Sequence, residues 1–182
     1  MSDYQLGPCQ LYNNTDGRDL GKTEGGVTLN IEESYQTLNT DQDGETPVDE
    51  SITGTTVTIE ANLANISLDN IAFSLKQTVK SDGDGSNYVA VTPNSGTSLL
   101  SNSKEICLKP YVDGVATTDE SNMILMPKAG IRASLGLQYD DSNQRIINFT
   151  MTGYPDSSIS GLSIEPCAIF GCSSTTSSVL PS

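Results

Sequence analysis

The stretch Asp19-Leu20-Gly21-Lys22-Thr23-Glu24-Gly25-Gly26-Val27-Thr28-Leu29-Asn30-Ile31-Glu32 decides how the rest of the chain is read. Its glycines at 21, 25 and 26 permit sharp reversals that β-branched residues forbid. Beyond them Val27, Leu29 and Ile31 alternate with Thr28, Asn30 and Glu32, the period-two pattern of a strand with one buried face. This strand is expected to run to about Tyr35. A partner begins near Gly54, where Val57, Ile59, Ala61 and Leu63 alternate with Thr56, Thr58, Glu60 and Asn62. The segment between them, Thr40 to Thr53, is too long and too polar for a tight turn, and a loop of that length in a compact domain has a function or is disordered.

Working outward, one helix is legible. Ser67 is placed to cap it, Asp69 falls in its first turn, and Leu68, Ile71, Ala72 and Leu75 recur at i, i+3, i+4 and i+7, a stripe expected to lie on a sheet. Lys76 and Lys80 are expected at its C-terminal end, where the dipole favours cations, before Ser81-Asp-Gly-Asp-Gly-Ser86 ends it. The second half returns to strands at Glu105–Leu108, Asn122–Met126, Ile131–Gln138 and Arg145–Thr152, the last two joined as a hairpin through Asp140-Asp141-Ser142-Asn143. The expectation is a mainly β chain with one flanking helix, a single domain over residues 1–172 and a flexible Ser/Thr-rich tail over 173–182.

The 182 residues carry 9 basic and 23 acidic side chains, a formal net charge of -14, which argues against ordinary recognition of a phosphate backbone. The cations are scattered and form no groove-binding stripe. Between Glu32 and Glu50 stand seven carboxylates, Glu32, Glu33, Asp41, Asp43, Glu45, Asp49 and Glu50, without one basic residue. The N-terminal residues lack the pattern of a secretory signal and no apolar run has bilayer length, so synthesis in a cytoplasm is expected and the sequons at Asn13, Asn65 and Asn148 read as accidental.

Catalytic and metal chemistry find little support. Histidine is absent, which removes the commonest acid–base group and the Ser-His and Cys-His arrangements. The carboxylate pairs Asp41/Asp43 and Asp140/Asp141 sit in turn sequences, where Asp and Gly serve the backbone. Asp82-Gly-Asp84-Gly-Ser86 resembles the start of a calcium loop, but Asn87 and Pro93 stand where an EF-hand needs Gly and Glu. Starting instead at Asp41, Thr46 and Ile52 fail the same test. Gly21-Lys22-Thr23 lacks the upstream glycine of a phosphate loop and leads into a strand. Cys9, Cys107, Cys167 and Cys172 have no zinc-site spacing; they read as buried thiols or, outside a reducing cell, as candidates for disulfides, with Cys167 and Cys172 the pair nearest the polar tail. No cofactor and no metal is expected.

Taken in order, several segments resemble the tail tube proteins (major tail proteins) of tailed bacteriophages. They are Asp19–Val27, Asp41-Gln-Asp-Gly-Glu-Thr-Pro-Val-Asp49, Gly54 leading a strand into the Leu68–Leu75 helix, Leu125-Met-Pro-Lys-Ala129, and Ile147-Asn-Phe-Thr-Met-Thr-Gly-Tyr-Pro-Asp156. The resemblance covers roughly residues 7 to 170, each motif being short and the order carrying the weight. It implies an antiparallel β-sandwich or rolled barrel with one helix, and no enzymatic activity. Hexameric rings would stack into a hollow tube that conducts DNA from capsid to host. It also implies a virion protein assembled in the host bacterial cytoplasm, whose partners are its own copies, tail sheath, tape measure, terminator and baseplate proteins, with no membrane contact. Thr28, Asn30, Glu32, Thr56, Thr58 and Glu60 would then face the lumen, where DNA passes without specific binding. Asp41, Asp43, Glu45, Asp49 and Glu50 would reach the next ring. The four cysteines and the Ser/Thr-rich terminus depart from the family pattern, and apart from the resemblance Cys167 and Cys172 are candidates for cross-links between subunits. The alternatives are a collar, terminator or baseplate-hub subunit of the same fold, and an acidic β-sandwich module for decoration or adhesion.

Overall fold

The computed structural model describes residues 7–41, 44–82, 84–136, 145–159 and 165–172. Its architecture is an antiparallel β-sandwich with one α-helix among the described residues. The strands are β1 (Cys9–Asn13), β2 (Arg18–Asp19), β3 (Thr23–Leu38), β4 (Asp49–Leu63), β5 (Val79–Ser81), β6 (Asn87–Val89), β7 (Lys104–Val112), β8 (Val115–Ala116), β9 (Ile124–Gly136), β10 (Ile146–Gly153) and β11 (Ile169–Phe170). Helix α1 (Leu68–Leu75) follows β4, and a 3-10 turn at Glu120–Asn122 precedes β9.

The main sheet runs β2-β1-β7-β9-β10-β4-β3, and β9 belongs to both halves. Its first residues pair with β7, as in Leu108 with Ile124, while its later ones pair with β10, as in Ile147 with Leu135. The two halves fold over one apolar cluster that joins Leu11, Ile106, Leu108 and Met126 to Ile59, Leu63, Phe149 and Met151. Alternation along each strand supplies these residues, since every second side chain points to the same face. A second, smaller cluster lies on the other face of the β1–β7 half. There Cys107, Met123 and Leu125 are covered by Tyr12, Ile169 and Cys172, and β11 adds itself to the edge of β9.

Strand β9 departs from expectation. Two separate strands, 122–126 and 131–138, are expected; the observed strand runs unbroken through Pro127. The register between β7 and β9 shifts between Lys104 and Ile106, so that Met126 and Ala129 both enter the core. Such a bulge is where a strand tolerates a residue without an N–H. The β9–β10 pairing is as expected, and its turn at 140–143 falls outside the described residues, as does the tail 173–182.

Helix α1 is capped as its sequence predicts, with Ser67 Oγ accepting from the Asn70 N–H and Asp69 in the first turn. Its buried face is a different one, however. Asn70, Ala72, Phe73 and Ser74 are buried, Leu68 is exposed, and Ile71 and Leu75 are only partly covered. Lys76 is the left-handed C-cap at φ 55°, not a last-turn cation, and Lys80 lies in β5.

The hairpin of β3 and β4 is longer than its sequence suggests. Pairing continues to Leu38 with Asp49, past a bulge that lets Ser34 oppose Gly54 and Tyr35 oppose Ile52. The expected loop 40–53 therefore shrinks by five residues, because Asp49–Thr53 belong to β4. Strand β10 accompanies β4 only as far as Thr58, which leaves the outer part of the hairpin as a two-stranded ribbon.

Candidate functional site

Two surfaces of the β3–β4 hairpin and one cleft beside α1 gather the polar side chains that the fold does not consume. The first surface is the outward face of the β9-β10-β4-β3 half. Register pairs Thr28 with Glu60, Asn30 with Thr58 and Glu32 with Thr56, so the six residues expected to share a face do share one, opposite Val27, Leu29 and the buried Val57, Ile59 and Ala61. The face is wider than those six. Asn148, Thr150 and Thr152 of β10 pair with Asn62, Glu60 and Thr58, and Arg132 and Ser134 of β9 pair with Thr150 and Asn148. The alternation of Asn148, Thr150 and Thr152 is visible in the sequence; that they extend this particular face depends on β4 and β10 being neighbours. Glu24, Glu32 and Glu60 outnumber the guanidinium of Arg132, which leaves the face acidic.

The second surface is the ribbon. From Ile31 to Leu38 and from Val48 to Thr56 every residue is exposed, Ile31 by 46%, Tyr35 and Ile52 by 59% each, and Val48 by 57%. Ile31, Tyr35 and Ile52 continue the core-facing row of the hairpin beyond the point where the other strands cover it. Of the residues expected to reach another copy, Asp41 and Glu45 lie at the exposed tip, Asp49 and Glu50 in β4, and Asp43 outside the described residues. Residues 23–63 contain no lysine or arginine. Tyr35 donates to Glu33 at 2.6 Å, and this bond to a carboxylate, with the negative charge itself, raises the phenol's pKa.

The cleft has a volume of about 560 Å³ and lies between α1, the turn before β2 and the segment leading into β7. Arg18, Lys76 and Lys104 line it with Asp16 and Asp69, over a floor of Ala72, Phe73, Val79 and Ile131. Two of the cations are fixed. Arg18 donates to Asn70 Oδ1 at 2.8 Å and to the Asp69 carbonyl at 3.0 Å, its guanidinium 5.5 Å from the centre of the Phe73 ring; Lys104 pairs with Asp16 at 3.0 Å. The hub is Asn70, 1% exposed, whose Nδ2 donates to the carbonyls of Leu20 and Asn65. Sequence pattern missed it, since helical periodicity assigns a polar residue to the outside. Asn70→Ala would leave the Leu20 carbonyl and the Arg18 guanidinium without this partner, and we expect a loss of about 2–3 kcal/mol in urea unfolding.

Other motifs resolve into local structure. The Asp19 carboxylate accepts the Gly21 N–H at 2.8 Å, which puts a negative group where a phosphate loop would need donors. Asp82 Oδ1 accepts from the N–H groups of Asp84 and Ser86, which makes the segment a turn between β5 and β6. No group of three or more metal-ligating side chains occurs among the described residues. The Asn13 side chain is buried and donates to Asp16, so that sequon is inaccessible. Cys9, Cys107 and Cys167 are held as thiols. Burial pushes Cys9 up to about 11 and Cys107 to about 12, so both stay protonated and poorly nucleophilic near neutral pH. Among the described residues no helix is long and apolar enough to cross a membrane. Comparison with family models and with curated proteins finds no match for this chain.

Proposed function

We propose that the chain is a self-assembling structural subunit without catalytic activity. The particular assembly is a hollow tube of stacked rings, like that built by the tail tube proteins its motifs resemble, localised to the virion tail. One observation carries this reading: the β3–β4 hairpin is unfinished in a single copy. Its ribbon exposes, on the core-facing side, Ile31 of β3 and, beyond the polar Glu33–Thr55 pair, Tyr35 of β3 opposite Ile52 of β4, and β3 is the uncovered outer strand among the described residues. Large exposed apolar residues on an open edge favour association, and ring closure with other copies would cover both.

In such a ring the acidic, hydroxyl- and amide-rich face formed by Thr28, Asn30, Glu32, Thr56, Thr58 and Glu60 lines the channel. A negative wall repels the phosphate backbone, so DNA slides through without counterion release or ion pairing. Concentrated chain examined by negative-stain electron microscopy is expected to show rings or tubes. Rings that never stack would reassign it to a collar, terminator or hub position, and a persistent monomer would sink the assembly reading in favour of a decoration or adhesion module. In intact particles, Glu32→Lys with Glu60→Lys should leave tubes standing but slow DNA ejection about tenfold; an unchanged ejection rate refutes the electrostatic lining.

A further inference from the structure

The charge on this molecule is not distributed at random along its long axis. Strand β4 begins at Asp49 in the ribbon, and the cleft residue Ile131 reaches it through Met151 opposite Ile59, so tip and cleft are separated by about 33 Å along the strand. One end carries Asp41, Glu45, Asp49 and Glu50 with exposed Leu38 and Val48 and no cation. At the other, three of the chain's nine cations, Arg18, Lys76 and Lys104, converge on a cleft with an apolar floor. Only two carboxylates line that cleft, a local excess of positive charge on a chain of net charge -14.

We propose that the cleft bounded by Arg18, Lys76 and Lys104 receives the acidic ribbon tip of a second copy of this chain. The inference rests on the proposed function and names the receiving surface that such a reading leaves open. Complementarity extends to both components of the surfaces. Carboxylates of the tip meet the cationic rim, while Val48 and Leu38 meet the half-buried Val79, beneath which Ala72 and Phe73 are already buried. Because donor and receiver are different surfaces of one molecule, the contact is heterologous and repeats without closing, which generates a stack with a fixed polarity. Each copy offers one tip and one cleft, so growth stays open at both ends. Opposed charges would also speed encounter and exclude tip-to-tip pairing.

The test is an exchange of charge. One variant carries Asp49→Lys and Glu50→Lys on the ribbon; the other carries Lys76→Glu and Lys104→Glu in the cleft, with far-UV circular dichroism melts confirming that each folds. Sedimentation velocity and negative-stain microscopy are expected to show that each variant alone assembles only at a critical concentration raised about tenfold or more. A one-to-one mixture should assemble near the wild-type concentration, because the reversed tip of one then fits the reversed cleft of the other. Variants that stack like wild type, or a mixture that fails to rescue, overturn the proposal while leaving the tube reading intact. A wild-type chain that never assembles overturns both. Inorganic phosphate that raises the melting temperature of the wild type but not of the cleft variant, with stacking unaffected by either charge reversal, assigns the cleft to a free anion and also overturns the proposal.

Discussion

Phe149→Ala is expected to lower stability by about 3–5 kcal/mol, the range for removing a fully buried aromatic side chain. For a chain of this length the melting temperature should fall by about 10 °C. Phe149 is 3% exposed and lies in the middle of β10, between β4 and β9. Its ring meets Phe73 edge to face, with centroids 5.8 Å apart and planes at 77°, so it also holds α1 on the sandwich. The register partner on β4 is Ala61, whose single methyl cannot reach into the space vacated. A cavity would therefore persist, and the cavity adds to the lost transfer energy. Phe149→Leu fills most of the volume and should cost less than half as much. Calorimetry that found the alanine variant within 1 kcal/mol of wild type would mean that this core is not packed as described.

Lys128→Met is expected to cost about 2–3 kcal/mol at neutral pH, and its effect should shrink as the pH falls below about 4. Lys128 Nζ lies 2.8 Å from Asp156 Oδ1, and the Asp156 side chain is 7% exposed against 31% for Lys128. The cost stays below that for a fully buried pair because the ammonium keeps contact with water. Burial by itself raises the Asp156 pKa, but the hydrogen bonds from Lys128 and from the Ser158 hydroxyl and N–H outweigh it and hold the carboxyl below its ordinary value. A folded pKa below the unfolded one stabilises the chain above the unfolded value, and that contribution is lost as the pH falls through the folded value. Without its cation the carboxylate keeps its burial and the two Ser158 bonds, so its folded pKa should rise from the wild-type position and the variant's loss of stability on acidification should be smaller. Urea unfolding of both chains at pH 3 and pH 7 separates the cases: a difference that stays constant between the two pH values would remove Asp156 as the responsible group.

These two residues mark how far the sequence could be read. Phe149 was legible, because Ile147, Phe149 and Met151 alternate with polar residues and a strand with that pattern buries one face. The ion pair of Lys128 and Asp156 was not, although both belong to segments that support the family resemblance. It depends on the β9 bulge turning Lys128 away from the core while the chain after β10 returns beside it, as the bond from the Tyr154 N–H to the Lys128 carbonyl attests. That the six polar residues of the hairpin share one face follows from period two, which is a local property. The contributions of Asn148, Thr150, Thr152, Arg132 and Ser134 were not assembled with it, because a strand's pattern does not name its neighbour.

Helix α1 makes the same division within one element. Its start was fixed by Ser67, since a cap acts on backbone N–H groups three residues away. Its buried face differs from the apolar stripe, because Asn70 enters the interior once Arg18, Leu20 and Asn65 are there to satisfy it. The amino-acid sequence alone determined the strand alternations, the helix cap, the acidic hairpin and the absence of histidine chemistry, all of which depend on near neighbours or on composition. Tertiary structure alone decided the length of the ribbon, the passage of β9 through Pro127, the Lys128–Asp156 pair and the gathering of Arg18, Lys76 and Lys104 at one cleft. Each of these is set by a register or a long-range contact, and register depends on which strands meet, which no local period encodes.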